Sequence, residues 1–354
     1  VKLTRRTLLT LAGLAALGVG IPACRQMLRQ MVFSPEATPA ATPSPLANPF
    51  RDGAKSLVAI VHGDDPKAMV RRAVELLGGL DRLGIRGRRT LVKPNVVSGH
   101  PPPTTTDPRV VRAVLELAKA AGAGSLGVGE MSAVLSLPTR PHLVETGMAR
   151  AAADVGASLL AFDEGEWVEV SQPAAEHATT VFVAKAAHEA ERLISVPIIK
   201  THRNASFSCA LKNTVGCVHG KNKPWTYGGA AWEPVVAELH QAVRPHLYVV
   251  DGLLSMVTGG PWSGDSLPTN VILASGDPIA TDVVALGLLK TAGRWELVTG
   301  KGVWEQRQIQ RAVALGLGAR GPTEIALVVD DLAGRDRVFR ELVDGIRGAA
   351  GLQI

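Results

Sequence analysis

Cysteine is scarce: Cys24, Cys209 and Cys217 are the only three in 354 residues. Three thiols cannot build a disulfide framework, a four-thiolate zinc site or an iron–sulfur centre within one chain, so no intrinsic iron–sulfur cluster is expected. A basic stripe interleaved with aromatics is also missing. Lys plus Arg number 38 against 32 Asp plus Glu, but residues 1–50 hold five of the bases and a single acid, Glu36. From residue 51 onward, 33 bases face 31 acids. The positive charge thus belongs largely to the N-terminal arm, and nucleic acid is not an expected partner. No internal repeat and no apolar run long enough to span a bilayer is present. What remains, 46% hydrophobic and 20% charged residues, is the composition of a globular protein with a real core.

The N-terminal arm reads as an address. Arg5 and Arg6 precede a short apolar run over 8–21, a basic region followed by a hydrophobic one, and the paired arginines point to the twin-arginine export machinery. A cleaved signal and an uncleaved anchor both satisfy this pattern over 1–34. Ile21, Pro22, Ala23 and Cys24 resemble a lipoprotein box, which makes Cys24 a candidate for acylation. Prolines 35, 39, 43, 45 and 49 predict an extended stalk over 35–50 that forms neither helix nor sheet. The expectation is an exported protein, periplasmic or anchored at the outer face, that meets the membrane only through its signal or a lipid.

Residues 51–354 alternate strand-like apolar runs with helical patterns. That alternation predicts an α/β domain with a mostly parallel sheet flanked by helices. Strands are expected at 57–61, 90–92, 125–128, 158–162, 193–199, 247–250, 270–274 and 324–329. Helices are expected near 66–77, 108–121, 149–155, 235–243, 279–291, 306–315 and 337–346. The segments 167–170 and 180–184 predict a small β excursion. Gly122, Gly124 and Gly127 match dinucleotide-binding spacing, but a helix precedes them and a strand follows, the reverse of what that motif requires.

Ligands of open α/β sheets bind beyond the carboxyl ends of the strands, so polar residues just after predicted strands carry the functional signal. Four stations stand out. Lys93 and Asn95 can hold an anion at the end of 90–92, and Thr106 with Asp107 opens the next helix. Lys200, Thr201 and His202 follow 193–199 and lead to Ser208, Lys212 and Asn213; a lysine in a desolvated cleft can act as base or nucleophile, and His202 can move protons. Asp251 precedes Gly259 and Gly260, whose lack of a side chain lets backbone approach a ligand. Asp277 caps a helix that carries Asp282, and Asp251, Asp277 and Asp282 form a candidate set of oxygen ligands for a divalent metal.

In order along the chain, Lys93-Pro94-Asn95, Thr106-Asp107-Pro108, residues 197–202, residues 210–216, Asp251-Gly252 with Gly259-Gly260-Pro261, and residues 277–282 resemble the domain-of-unknown-function 362 family. The likeness covers most of 56–290. Some members of that family append ferredoxin segments, which this chain lacks. The loop is also similar to the N-terminal region of lactate-racemase-like enzymes, in which a lysine tethers a nickel-pincer nucleotide; His202 and Lys212 are the matching positions. No additional histidine stands in register for the nickel.

These readings converge on an exported protein that binds a small anionic, carboxylate-type molecule. Lys93, Asn95, Thr106, Asp107, Ser208, Asn213, Gly259 and Gly260 would contact it, and Lys200, His202 and Lys212 would carry catalysis or a cofactor. The competing expectation is a non-catalytic accessory protein that passes a ligand, metal or electron to a redox partner.

Overall fold

The computed structural model describes residues 21–44 and 47–353, so Arg5, Arg6 and the run to residue 20 lie outside the described residues. The described residues begin with helix α1 (Ile21–Val32) and strand β1 (Ala37–Ala40). There follow β2 (Arg51–Asp52), β3 (Lys55–His62), α2 (Pro66–Leu76), β4 (Arg89–Pro94), α3 (Pro108–Ala120), β5 (Ser125–Glu130), α4 (Thr139–Glu145), α5 (Met148–Val155) and β6 (Ser158–Ala161). The middle of the chain holds β7 (Trp167–Ser171), β8 (Thr180–Ala184), α6 (Lys185–His188), β9 (Arg192–Val196), β10 (Ile198–His202), β11 (Ser206–Ser208), α7 (Ala210–Asn213) and α8 (Trp232–Gln241). The last third holds β12 (Leu247–Met256), β13 (Ser266–Ser275), α9 (Pro278–Ala292), α10 (Glu296–Thr299), α11 (Arg307–Ala314), β14 (Ile325–Asp331) and α12 (Asp336–Ala350).

Three helices start by one device. The carboxylates of Asp65, Asp107 and Asp277 each accept backbone amides in the first turn, and each is followed by proline, whose missing N–H costs nothing there. Helix α9 is apolar on nearly every side because it is buried between the sheet and α12.

The large sheet has the order β14-β3-β13-β12-β9-β4-β5-β6. Neighbours in it are parallel except β13, which is antiparallel to both β3 and β12. Alternation along β3 sets the layers: Ala59 and Val61 face the core under α2 and α3, while Val58 and Ile60 face the core under α9 and α12. A third apolar cluster joins β7, β8, α8 and Met27 of α1.

Three expectations need correction. The run 193–199 is not one strand: Pro197 separates β9, paired with both β4 and β12, from β10, which leaves β4 and follows β12 through an irregular register. Lys200 and His202 therefore lie on a strand rather than in the loop after it. Residues 37–40 are not part of a free stalk, because β1 pairs in parallel with β7 and extends the β7–β8 hairpin to three strands; proline is tolerated at such an edge. The arm before it is also docked, with Met27 buried and Gln30 Oε1 accepting the Gly220 amide at 2.9 Å. Gly122 and Gly124 close the turn from α3 into β5, as their context requires.

Candidate functional site

The carboxyl ends of β4 and β5 place Lys93 and Glu130 side by side. Lys93 Nζ lies 2.7 Å from Glu130 Oε2, and both side chains are buried. The ammonium also donates to Pro94 O at 2.7 Å and Asn213 Oδ1 at 3.2 Å, so its three protons are all engaged. Glu130 in turn accepts the Val96 and Met131 amides. The pair needs a glycine beside it: a Cβ at Gly216 would fall 1.9 Å from Glu130 Oε1 and 2.7 Å from Lys93 Nζ. Lys93 is thus a buried counter-ion and not an open anion contact.

From this pair a chain of hydrogen bonds runs along the sheet edge. Asn213 Oδ1 accepts from Lys93 and from Asn95 Nδ2, while its Nδ2 donates to Ser195 Oγ and Lys93 O. Asn95 Oδ1 accepts Lys200 Nζ at 2.6 Å, and Lys200 also donates to Thr104 O at 2.8 Å. Burial, with Lys212 and Lys93 as like charges, holds the Lys200 ammonium well below its ordinary pKa. The ladder pairing of β10 with β11 sets Lys200 opposite Ser208.

Beyond this chain opens a cleft of about 630 Å³ whose polar lining includes Lys200, His202, Ser208, Lys212 and Lys223. Lys212 projects from α7. Asp282 fixes that short helix by accepting the Ala210 and Leu211 amides at 2.6 and 3.1 Å, and burial raises its carboxyl to about 7. The Lys212 ammonium makes no hydrogen bond or ion pair among the described residues. Burial, with Lys93 nearby, lowers its pKa to about 8. Lys223 donates to Val215 O at 2.5 Å and is lowered to about 7, chiefly by burial. His202 Nδ1 accepts the Asn204 amide at 3.2 Å, which leaves the proton on Nε2, and burial beside Lys212 and Lys200 keeps the ring neutral.

Other expected contacts turn out to support the cleft from behind. Thr106 Oγ1 accepts the Asn95 amide and donates to Val196 O, both at 2.8 Å, fixing the loop after β4. Asp107 caps α3 and pairs with Arg109. Gly259 and Gly260 have φ of +68° and +79°, and a Cβ on Gly260 would meet Thr201 O at 2.1 Å. They allow a tight turn against β10 that delivers Pro261 and Trp262 to the cleft rim.

The three aspartates are not brought together. Asp251 accepts the Asp107 and Leu253 amides, and Asp282 caps α7. Asp277 lies at the opposite sheet edge, bonded to Ser56 and to the amides of Ile279, Ala280 and Ala319. The reversed direction of β13 puts it there. A divalent metal does not fit this set, and the amine-lined cleft repels cations. Among the described residues, Glu176, His177 and Glu238 alone bring three ligand atoms together, and there Glu238 is held by Arg311 and backbone amides. Cys209 and Cys217 are buried, and burial pushes the Cys217 thiol up to about 12. Cys24 lies on the first turn of α1.

Glu130 and Lys223 are the functional side chains that sequence reasoning missed. Glu130 ends β5 just as Lys93 lies at the end of β4, so the strand-end criterion would have found it had the strand been carried two residues past Val128. Nothing local marks Lys223.

A mostly parallel α/β sheet with a lysine-lined cleft at its carboxyl edge is the class that fold and site define. The chain belongs to the family described as Domain of unknown function (DUF362), whose model matches residues 90–287, from the start of β4 through most of α9. It is 29% identical over 230 residues to a thylakoid-associated protein of Synechocystis sp., covering 63% of this chain and 70% of that one. It is also similar to the lactate racemase apoprotein of Thermoanaerobacterium thermosaccharolyticum over 81% of this chain and 85% of that chain, with a TM-score of 0.39 and 10% identity.

Proposed function

We propose that this chain is an exported enzyme that binds a small carboxylate anion in the cleft, with Lys212 and His202 handling protons. The observation that carries the reading is the surplus of donors. An ammonium has three N–H groups; Lys212 keeps all of them open, Lys223 keeps two and Lys200 one, while the nearby carboxylate, Glu130, is paired with Lys93. Such a lining attracts an anion and desolvates it. Bound there, the acid group lies among Lys200, Lys212 and Lys223. Lys212, neutral in part near pH 8, is suited to accept a proton, and the neutral His202 ring to offer a hydrogen bond from Nε2 to the ligand. Asn95 and Asn213 hold the lysines in place rather than touching the ligand. Export is supported by Arg5, Arg6 and the apolar run after them.

Titration calorimetry with acetate, lactate and benzoate tests the site. Lys212→Met is expected to weaken binding by about thirtyfold or more, with a smaller loss in Lys200→Met. Parent-like affinity in both variants would overturn the reading. Fractionation tests export separately: Arg5→Lys with Arg6→Lys should leave the protein in the cytoplasm.

A further inference from the structure

The lysines account for only part of the cleft. Three of the six tryptophans in the chain, Trp225, Trp232 and Trp262, line it. Trp225 is 41% exposed and Trp262 40%, although large aromatic surfaces are ordinarily covered. The rings of Trp225 and Trp232 lie 6.1 Å apart with a tilt of 38°, and His202 stands 6.2 Å from Trp232. Trp232 Nε1 is buried and has no hydrogen-bond partner among the described residues, as is also true of Trp295 Nε1 away from the cleft. A volume of about 630 Å³ is also far more than a two- or three-carbon acid fills. Folding does not explain two exposed indole rings gathered at the rim of a lysine-lined cleft, because exposed aromatic surface costs stability.

We infer that the ligand is a planar, conjugated carboxylate. Its acid group lies among Lys200, Lys212 and Lys223, and its flat body lies against Trp225 and Trp262. An indole face offers dispersion and quadrupole contact to a flat π system that a puckered ring of equal size cannot match. This inference rests on the anion reading above and specifies what else the anion must carry.

Benzoate and cyclohexanecarboxylate have the same charge and ring size but differ in planarity, and acetate supplies the charge alone. With the full chain, benzoate should bind about fivefold or more tighter than cyclohexanecarboxylate. In Trp225→Leu and Trp262→Leu, which keep the rim apolar at exposed positions, that ratio should fall toward one while acetate affinity stays unchanged. Equal affinity for the two rings in the parent protein, with acetate still bound, would overturn the planar requirement alone. No binding of any of the three would overturn this inference together with the anion reading.

Discussion

Asp277 and Lys212 stand near opposite edges of the same sheet; Asp277 is buried, whereas Lys212 is half-buried in the wall of the cleft. Asp277 has every lone pair in use: one serine hydroxyl and three backbone amides surround its carboxylate, which burial nonetheless holds above the ordinary carboxylate range. The Lys212 ammonium has no partner among the described residues. A buried polar group is costly unless its bonds are made, so Asp277 is finished as structure, while the half-buried Lys212 keeps its N–H groups open to the cleft. Lys93 sharpens the contrast, because it lies on the ligand-facing edge yet is as fully bonded as Asp277. Unmet hydrogen-bond capacity, more than polarity or position, separates the groups that face a ligand from those that hold the frame.

The largest effect expected from breaking this division is on stability. Lys93→Met leaves the Glu130 carboxylate buried without its counter-charge and should cost about 3–5 kcal/mol in urea unfolding. A cost below about 1 kcal/mol would show that the pair is not the frame of the cleft. Asp277→Ala removes a cap and the acceptor for three amides at the far edge, for about 2 kcal/mol. Acetate affinity in that variant should match the parent within threefold. A larger loss would mean that the two edges are coupled and the comparison is wrong.

Much of the fold was legible because helix starts are chemically explicit. Asp-Pro at 65, 107 and 277 marked three helices within a residue of their starts. Alternation of apolar runs then implied a parallel sheet. The reversal of β13 was not legible, since a fully buried strand carries the same apolar pattern in either direction. That one reversal moved Asp277 to the wrong edge and dissolved the expected aspartate cluster. The loop lysines were legible through their density after an apolar run, and the structure brings Lys200, His202, Ser208 and Lys212 into one cleft. Which amines stay unpaired was not, because the bond from Lys200 to Asn95 joins residues 105 positions apart. Lys223 and the tryptophans arrive by tertiary packing alone. Strand β1 was missed for another reason: Pro39 argues against sheet, and only its parallel partner β7 reveals that the segment forms an edge.

The smallest effect concerns protonation, and it distinguishes an open amine from a bonded one without mutation. An anion binds the ammonium form, so affinity follows the charged fraction. With Lys212 at about 8, its share of the affinity should be level below pH 7 and fall toward tenfold per unit above pH 8. Lys223, at about 7, adds a shallower decline beginning one unit lower, its charge being held in part by Val215 O. Binding near pH 8 should then take up a proton, since an anion beside either amine favours its charged form. Calorimetry in buffers of different ionisation enthalpy reads that uptake directly. In Lys212→Met the steep decline above pH 8 should give way to the shallower one that Lys223 sets, whereas in Asp277→Ala the whole profile should persist. An affinity that stays flat from pH 6 to 10 would mean that the ligand does not meet these amines, and that their open valences are an accident of packing.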